Sequence, residues 1–433
     1  MKKVLIITYY WPPSGGAGVQ RWLKFVKYLP QFGWEPIVYT ADSGEYPVID
    51  NSLLDDISKN VTVLKTPIWE PYDFYKKLTG RKKEDKINSG FLSENKNPKF
   101  LEELSKWIRG NLFIPDARKY WIKPSVKFLS HFLKNNPVDL VISSGPPHTT
   151  HLIAEKINNI FNIPWVSDFR DPWTNIDFYK DLKLTKWADS KHRRLEREVL
   201  NKSDLVLTIG SHLKKELLSL GAHNVEVIEN GYDQEDFINQ QKNVLDNEFT
   251  IAHIGSFTPS RNHKVLWQAL EQICNENPNF KKSFRLKLIG KVDHSVNESL
   301  KETNLLENTI SMGYISHNNV IKEQHKSKVL LLMVNNTPNA KGIITGKVFE
   351  YIASGRPILV IGPKDGDLSD IINKTNSGIV CNYNDIDILK SSILEMYNDK
   401  LVFKPNASAY SRLNLTKNLS NLLNKLLDSK KVK

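Results

Sequence analysis

Cysteine is nearly missing from this chain: two in 433 residues, Cys274 and Cys381, far apart and beside no second thiol. They can build neither a disulfide framework nor a cysteine-rich metal site, and a reduced, cytoplasmic compartment is the natural expectation. Long apolar runs are missing too. The longest, near Val329–Val334, falls far below the ~18 residues that a membrane-spanning helix needs. At the start, Lys2 and Lys3 precede an apolar run, but Val4–Ile7 is too short for a signal-peptide core and no small-residue cleavage site follows. Export by that route and insertion in a bilayer are therefore not expected. No His-Glu-x-x-His, paired-cysteine motif or Gly-x-Ser-x-Gly elbow occurs. The formal charge of +12 comes with no nucleic-acid recognition motif, and attraction to an anionic membrane face or to phosphate-bearing substrates explains it equally well.

What is present is an ordinary globular composition, 40% hydrophobic and 25% charged, in a chain long enough for two or three domains. Short apolar runs alternate with amphipathic stretches. Strands are expected at Val4–Thr8, Pro36–Thr40, Val61–Lys65, Asp139–Ser143, Trp165–Ser167, Leu205–Ile209 and Val225–Ile228. A second series is expected at Thr250–Ile254, Arg285–Ile289, Thr309–Met312, Val329–Met333 and Pro357–Ile361. Continuous apolar strands separated by helices indicate parallel sheets covered on both faces. The pattern assigns a first domain to 1–232, a polar linker to 233–249, a second domain to 250–405 and a terminal helix to 406–433. Residues 66–124 break the rhythm and read as an insertion with aromatic anchors and a basic loop, Arg81–Lys86. In doubly wound folds, ligands sit beyond the carboxyl ends of the strands.

The loops at those ends hold the candidate residues. Gly15, Gly16 and Gly18 follow the first strand, but Arg21 stands where a dinucleotide fingerprint requires its third glycine. The loop is either a flexible turn or a ligand-facing one. Lys341–Lys347 is one residue short of a Walker loop, and Val348 replaces its magnesium-binding Ser or Thr. The physics of such a loop still holds: Thr345, Gly346 and Lys347 open a helix whose amides suit a phosphate. Glu350, one turn inside, can accept both hydroxyls of a ribose, or merely face solvent. Gly255 and Arg261 lie between a strand and a helix, where the Arg fork suits a diphosphate. Tyr314 completes this donor-side set. In the first domain, His148 can meet a sugar or a proton, or simply cap the helix that follows. Asp168, Arg170 and Asp171 follow the next strand, and either face a substrate or satisfy one another. Asp365-x-Asp367 has the spacing of a metal-binding pair, but Asp367 reads as a helix N-cap, so no metal is expected.

Taken in order, the glycine loop, SSGPPH, DFRDPW, ENGYD, GSF…R and GKVFEYIASGRPIL resemble the retaining glycosyltransferases of family 4, group 1, across nearly the whole chain. The resemblance implies a GT-B fold, two doubly wound Rossmann-like α/β domains facing a central cleft. It implies transfer of a hexosyl or N-acetylhexosaminyl group from a nucleoside-diphosphate sugar to a glycan or polyprenyl-linked acceptor, in cell-surface polysaccharide synthesis. The transfer would be retaining and metal-independent, with no cofactor beyond the donor. The positive charge of the Arg81–Lys86 loop and of the tail fits a cytoplasmic protein with a weak hold on the inner face of the cytoplasmic membrane. By position, Glu350 matches the ribose-binding glutamate, Arg261 a basic residue on the diphosphate, and Gly346–Lys347 the phosphate-facing helix start. Gly15 and Gly16 match the glycine loop near the diphosphate, and His148 the first-domain histidine near the donor sugar. Two departures stand out: Gly342 replaces the first glutamate of the usual pair, and Ser256 replaces an Arg. They leave room for two other readings, a non-catalytic sugar-nucleotide or glycan-binding partner and a GT-B sugar-nucleotide epimerase.

Overall fold

The computed structural model describes residues 1–46, 48–71, 99–237 and 244–431. The chain forms two compact units. The first contains the described residues up to Glu229 and the helix Arg412–Lys431, and the second runs from Asn230 to Ser411.

Seven parallel strands make the sheet of the first unit: β1 (Lys2–Ile7), β2 (Trp34–Asp42), β3 (Thr62–Pro67), β4 (Leu140–Gly145), β5 (Trp165–Phe169), β6 (Leu205–Thr208) and β7 (Val225–Val227). Their order is β3-β2-β1-β4-β5-β6-β7. The apolar runs are continuous because both faces are covered. Leu5 and Ile7 pack to one side with Val141 and Trp165, while Val4 and Ile6 pack to the other with Leu140 and Val166. That second side is closed by the C-terminal helix, which supplies Leu415, Leu419 and Leu423. Two polar contacts fix its register: Trp34 Nε1 donates to Ser420 Oγ at 3.2 Å and Lys2 Nζ to Asn424 Oδ1 at 2.7 Å.

The second unit has six parallel strands: β8 (Phe249–Ile254), β9 (Phe284–Ile289), β10 (Thr309–Gly313), β11 (Val329–Met333), β12 (Ile358–Ile361) and β13 (Gly378–Cys381). Their order is β10-β9-β8-β11-β12-β13, again a doubly wound arrangement. Hydrophobic periodicity misses β13. It is a four-residue edge strand paired only with β12, and its first three residues are half-buried, so it carries little apolar signal.

The segment 66–124 contributes the end of β3 and the helix Lys99–Leu112, and leads into the helix Ile122–Asn135. The Arg81–Lys86 run lies outside the described residues. Of the polar stretch 233–249, residues 238–243 are likewise outside them, and its first part is a 3-10 turn, Gln234–Phe237, in the second unit. Asp367 is the first residue of the helix Asp367–Lys374 rather than its cap. Gly366 holds the cap position, pressed so closely on the Lys341 backbone that a Cβ would lie 2.9 Å from its carbonyl.

Candidate functional site

In the second unit both donor-side loops are tied to the carboxyl end of β8. Tyr351, in the helix Lys347–Ala353, accepts a hydrogen bond from Ile254 N at 2.9 Å. Immediately after, Gly255 and Gly290 take positive φ, 138° and 121°, at the ends of neighbouring strands. A Cβ on Gly290 would lie 2.5 Å from Gly255 O, so the strands can end this close together only with glycine there.

The loop that follows aims Arg261. Its Nε donates to Asn335 Oδ1 at 3.0 Å and its Nη1 to Ser256 O at 3.2 Å. His263 donates from Nε2 to Val334 O at 2.7 Å, fixing the same loop to the end of β11. Beyond Asn335 opens a cavity of about 470 Å³ lined by Asn336, Thr337, Lys341, Lys364, Asp365 and Tyr383. Lys341 and Lys364 there pair with Asp365 and Asp385 at 2.5 and 2.6 Å.

Glu350 projects from the first turn of the helix Lys347–Ala353. Its Oε2 accepts from Lys347 Nζ at 2.7 Å and from Gln324 Nε2 at 2.9 Å. Burial pushes this carboxyl upward. The charges of Lys347 and His317, with the two hydrogen bonds, outweigh burial and hold it below the usual carboxylate range. His317 in turn lies 3.1 Å from Asp236 Oδ2, a bond that raises its pKa against the opposing effect of burial. Thr345 Oγ1 is enclosed and makes no hydrogen bond among the described residues. Gly346 is exposed at the helix start, and Tyr314 stands 82% exposed just past β10.

The first-unit candidates divide differently. Asp168 is fully buried and satisfied within the protein: it accepts from Arg21 Nη2 at 2.9 Å, Trp22 Nε1 at 2.7 Å and Ser144 Oγ at 2.9 Å. Arg170 donates to Gly145 O at 3.1 Å, to Gly18 O at 2.7 Å and to Pro146 O. These two residues fasten the glycine loop, β4 and β5 to one another, which is the self-satisfied alternative for this cluster. Asp171 is exposed beside them. The Gly15 amide is also engaged, donating to Val48 O at 2.9 Å, so the loop is pinned rather than loose. Gly16, φ 93°, precedes the helix Ala17–Tyr28.

His148 occupies the N-cap position of the helix Thr149–Phe161, but its side chain makes no cap hydrogen bond. Asp116 does that work instead, accepting from Thr149 N at 2.9 Å. The His148 ring stacks on Trp173, 4.3 Å between centroids and 1° from parallel. Trp173 Nε1 donates to His192 Nδ1 at 3.1 Å. Burial, followed by the neighbouring His151, His192 and Arg170, holds His148 well below the ordinary histidine pKa, so it is a neutral ring.

Sequence reasoning missed Arg21, His151, Trp173, His192, Gln324 and His317. Arg21 was visible only as the residue that spoils a glycine motif. Trp173 closes the DFRDPW stretch, whose charged residues drew the attention, and the others stand in helices with no motif around them.

Two doubly wound units whose strand ends carry these polar loops define the GT-B class of fold. Two family models match side by side: "Glycosyltransferase Family 4" over residues 89–236 and "Glycosyl transferases group 1" over 234–413. The chain belongs to these glycosyltransferases, and its chemistry is glycosyl transfer. Comparison with curated proteins finds no match. Solved structures share the fold at low identity. Sucrose-phosphate synthase from Thermosynechococcus elongatus is 14% identical, with a TM-score of 0.62 over 99% of this chain and 100% of its own. HepE of Anabaena, solved with UDP-glucose, is 12% identical, with a TM-score of 0.62 over 98% and 100%. A TarM mutant of S. aureus, solved with fondaparinux, α-GlcNAc-glycerol and UDP, is 13% identical, with a TM-score of 0.57 over 99% and 98%.

Proposed function

We propose that the protein transfers a hexosyl or N-acetylhexosaminyl group from a nucleoside-diphosphate sugar to a glycan or lipid-linked acceptor, with retention and without a metal. The observation that carries this reading is the set of groups on the second unit's strand ends. Glu350 has Oε2 occupied by Lys347 and Gln324, which leaves Oε1 to accept ribose hydroxyls. Arg261 is held by Asn335 in the neighbouring loop, with Lys347 at the helix start suited to the diphosphate.

In this mechanism the acceptor oxygen bonds to the anomeric carbon as the bond to the diphosphate oxygen breaks, and the acceptor proton passes to the departing diphosphate. Arg261, Lys347 and the amides near Gly346 stabilise the negative charge that develops there, the kind of electrostatic term that usually dominates such catalysis. Lys347 can serve the diphosphate and Glu350 together, because its ammonium offers three donors. His148 hydrogen-bonds the sugar. The support comes from the family membership and from UDP or UDP-sugar in the HepE and TarM structures.

We assign the acceptor to a membrane-borne glycan intermediate of surface polysaccharide synthesis. The helix Ile122–Asn135 supports this, with exposed Lys123, Lys127 and Lys134, an exposed Phe128 and no acidic residue. Titration of UDP-, GDP- and ADP-sugars into the wild type and Glu350→Ala tests the donor site. Binding of one donor by the wild type and its loss in the variant is expected. Equal affinity in both, or binding of none, would overturn it.

A further inference from the structure

A short chain of hydrogen bonds in the first unit ends on a histidine nitrogen that has no partner among the described residues. Trp165 Nε1 can only donate, and it points at Ser143 Oγ, 2.8 Å away. The same hydroxyl lies 2.8 Å from His151 Nδ1. With Trp165 occupying a lone pair, the satisfied arrangement has the Ser143 O–H donating to Nδ1. The reverse arrangement would leave a buried hydroxyl proton without an acceptor, which is the costlier of the two. The ring proton of His151 therefore sits on Nε2.

His151 is completely buried, stacked on Phe169 at 4.6 Å, and its Nε2 has no hydrogen-bond partner among the described residues. His148 Nδ1 is enclosed and orphaned in the same way. Both flank Gly145: a Cβ built there would lie 2.5 Å from His151 Nε2 and 3.2 Å from His148 Nδ1. One orphan is a donor, the other can accept, and both lie within 3.2 Å of the point that a Gly145 Cβ would occupy. Buried polar groups so placed are commonly satisfied by a single water.

We propose that His151 is a positioning residue for His148: its Nε2–H donates, through one bridging water beside Gly145, to His148 Nδ1, and so keeps the proton of His148 on Nε2. Burial holds both rings neutral, His151 down to about 3, so the relay fixes a tautomer and carries no charge. Stacking on Trp173 fixes the plane of His148, and the relay fixes which nitrogen donates. His148 then presents a neutral N–H, which recognises a hydroxyl or ether oxygen of a sugar and does not withdraw the acceptor's proton. This function of the N–H rests on the reading of His148 as a sugar-facing residue, whereas the relay does not.

Two-bond ¹H–¹⁵N spectra of the full chain labelled at histidine, with His148 identified by its loss in His148→Asn, test the relay at neutral pH. The expected result is the Nε2–H tautomer for His148 in the wild type and a mixed tautomer in His151→Leu. Where His151→Leu does not fold, Ser143→Ala provides the same test, since it frees the His151 tautomer. Donor turnover is expected to fall roughly tenfold in kcat in His151→Leu with little change in KM, and to recover partly in His151→Gln, which keeps a donor. A wild-type His148 protonated on Nδ1, or an unaltered tautomer in the variants, overturns the relay. The expected spectra together with full turnover by His148→Asn would leave the relay standing and overturn the sugar-facing role instead.

Discussion

Arg21 Nη2 lies 2.9 Å from Asp168 Oδ1, and neither side chain has any exposed surface. The pair joins the helix after the glycine loop to the end of β5, 147 residues away in sequence. Arg21 also donates from Nη1 to Ile228 O at 2.8 Å and Glu229 O at 3.0 Å, so one guanidinium gathers three segments of the first unit. Removing one partner leaves a buried charge uncompensated, which typically costs about 3–5 kcal/mol. Asp168→Ala should accordingly lower the unfolding free energy by that order, seen as a lower urea midpoint. Replacement of both residues, as Arg21→Met with Asp168→Leu, should recover much of it. A single variant as stable as the wild type would contradict a structural role for Asp168.

Gly145 is a second point where one atom decides the local structure. A methyl group there would meet His151 Nε2 at 2.5 Å and Arg170 already donates to its carbonyl, so neither the imidazole nor the loop can yield cheaply. Gly145→Ala should destabilise the protein by about 1–3 kcal/mol, as overpacked core sites do. It should also alter the His148–Trp173 stack. Denaturant unfolding and near-ultraviolet circular dichroism measure the two effects. Unchanged stability with an unchanged aromatic signal would count against this packing.

These two sites show what the sequence reveals and what it hides. Strand positions were legible because both sheet faces are covered, so each buried strand reads as an apolar run. The edge strand β13 was not, since half-buried residues give no such run. Glu350 and Lys347 were legible through a glycine turn feeding a helix three residues before the acid. Their partner Gln324 was not: it comes from another helix, and only the fold brings it to 2.9 Å. Asp168 and Arg170 show a different limit. A charged cluster after a strand looks the same in sequence whether it faces a ligand or fastens loops, and burial decides between them.

Gln324 donates to the same Glu350 oxygen as Lys347, so it orients the carboxylate without supplying charge. Gln324→Leu should weaken binding of the nucleoside-diphosphate donor about tenfold, the scale of a lost hydrogen bond to a charged group. Glu350→Ala should cost more. A 2′,3′-dideoxy donor analogue makes no ribose contact, so its affinity should barely change in either variant. Calorimetric titration with both ligands checks this, and equal losses for both would show that the carboxylate does not read the ribose.

His317 and Asp236 provide the pH dependence of the second unit. The Asp236 hydrogen bond, outweighing burial, raises the His317 pKa above its ordinary value. A group raised on folding stabilises fully below its unfolded pKa, about 6.5, and that contribution disappears as pH rises through the folded value. The wild type should therefore gain thermal stability relative to Asp236→Asn on the acid side, with the difference shrinking on the alkaline side. Melting curves of both from about pH 5 to about pH 9 record it. A pH-independent difference would show that His317 is not charged there.

On the outer face of the helix Ile122–Asn135, Lys123, Lys127 and Lys134 are exposed along with Phe128, and Tyr120 just before it is 49% exposed. Tyr120 meets Trp69 edge to face at 5.0 Å, and Trp69 is itself 59% exposed. Lysines reach anionic headgroups while aromatic rings settle at the level of the interface, so the two residue types belong together on a surface-bound protein. No helix among the described residues is long and apolar enough to cross a membrane. Each lysine near an anionic surface contributes about 1 kcal/mol, which makes the loss of two worth roughly 30-fold in partitioning. Sedimentation with phosphatidylglycerol-containing vesicles should therefore deplete the wild type from solution, and Lys123→Ala with Lys127→Ala far less. Neutral phosphatidylcholine vesicles should deplete neither. If the wild type ignores both kinds of vesicle, the face is a solvated one and the positive surplus serves solubility. If the double variant still binds anionic vesicles fully, the hold lies elsewhere on the protein.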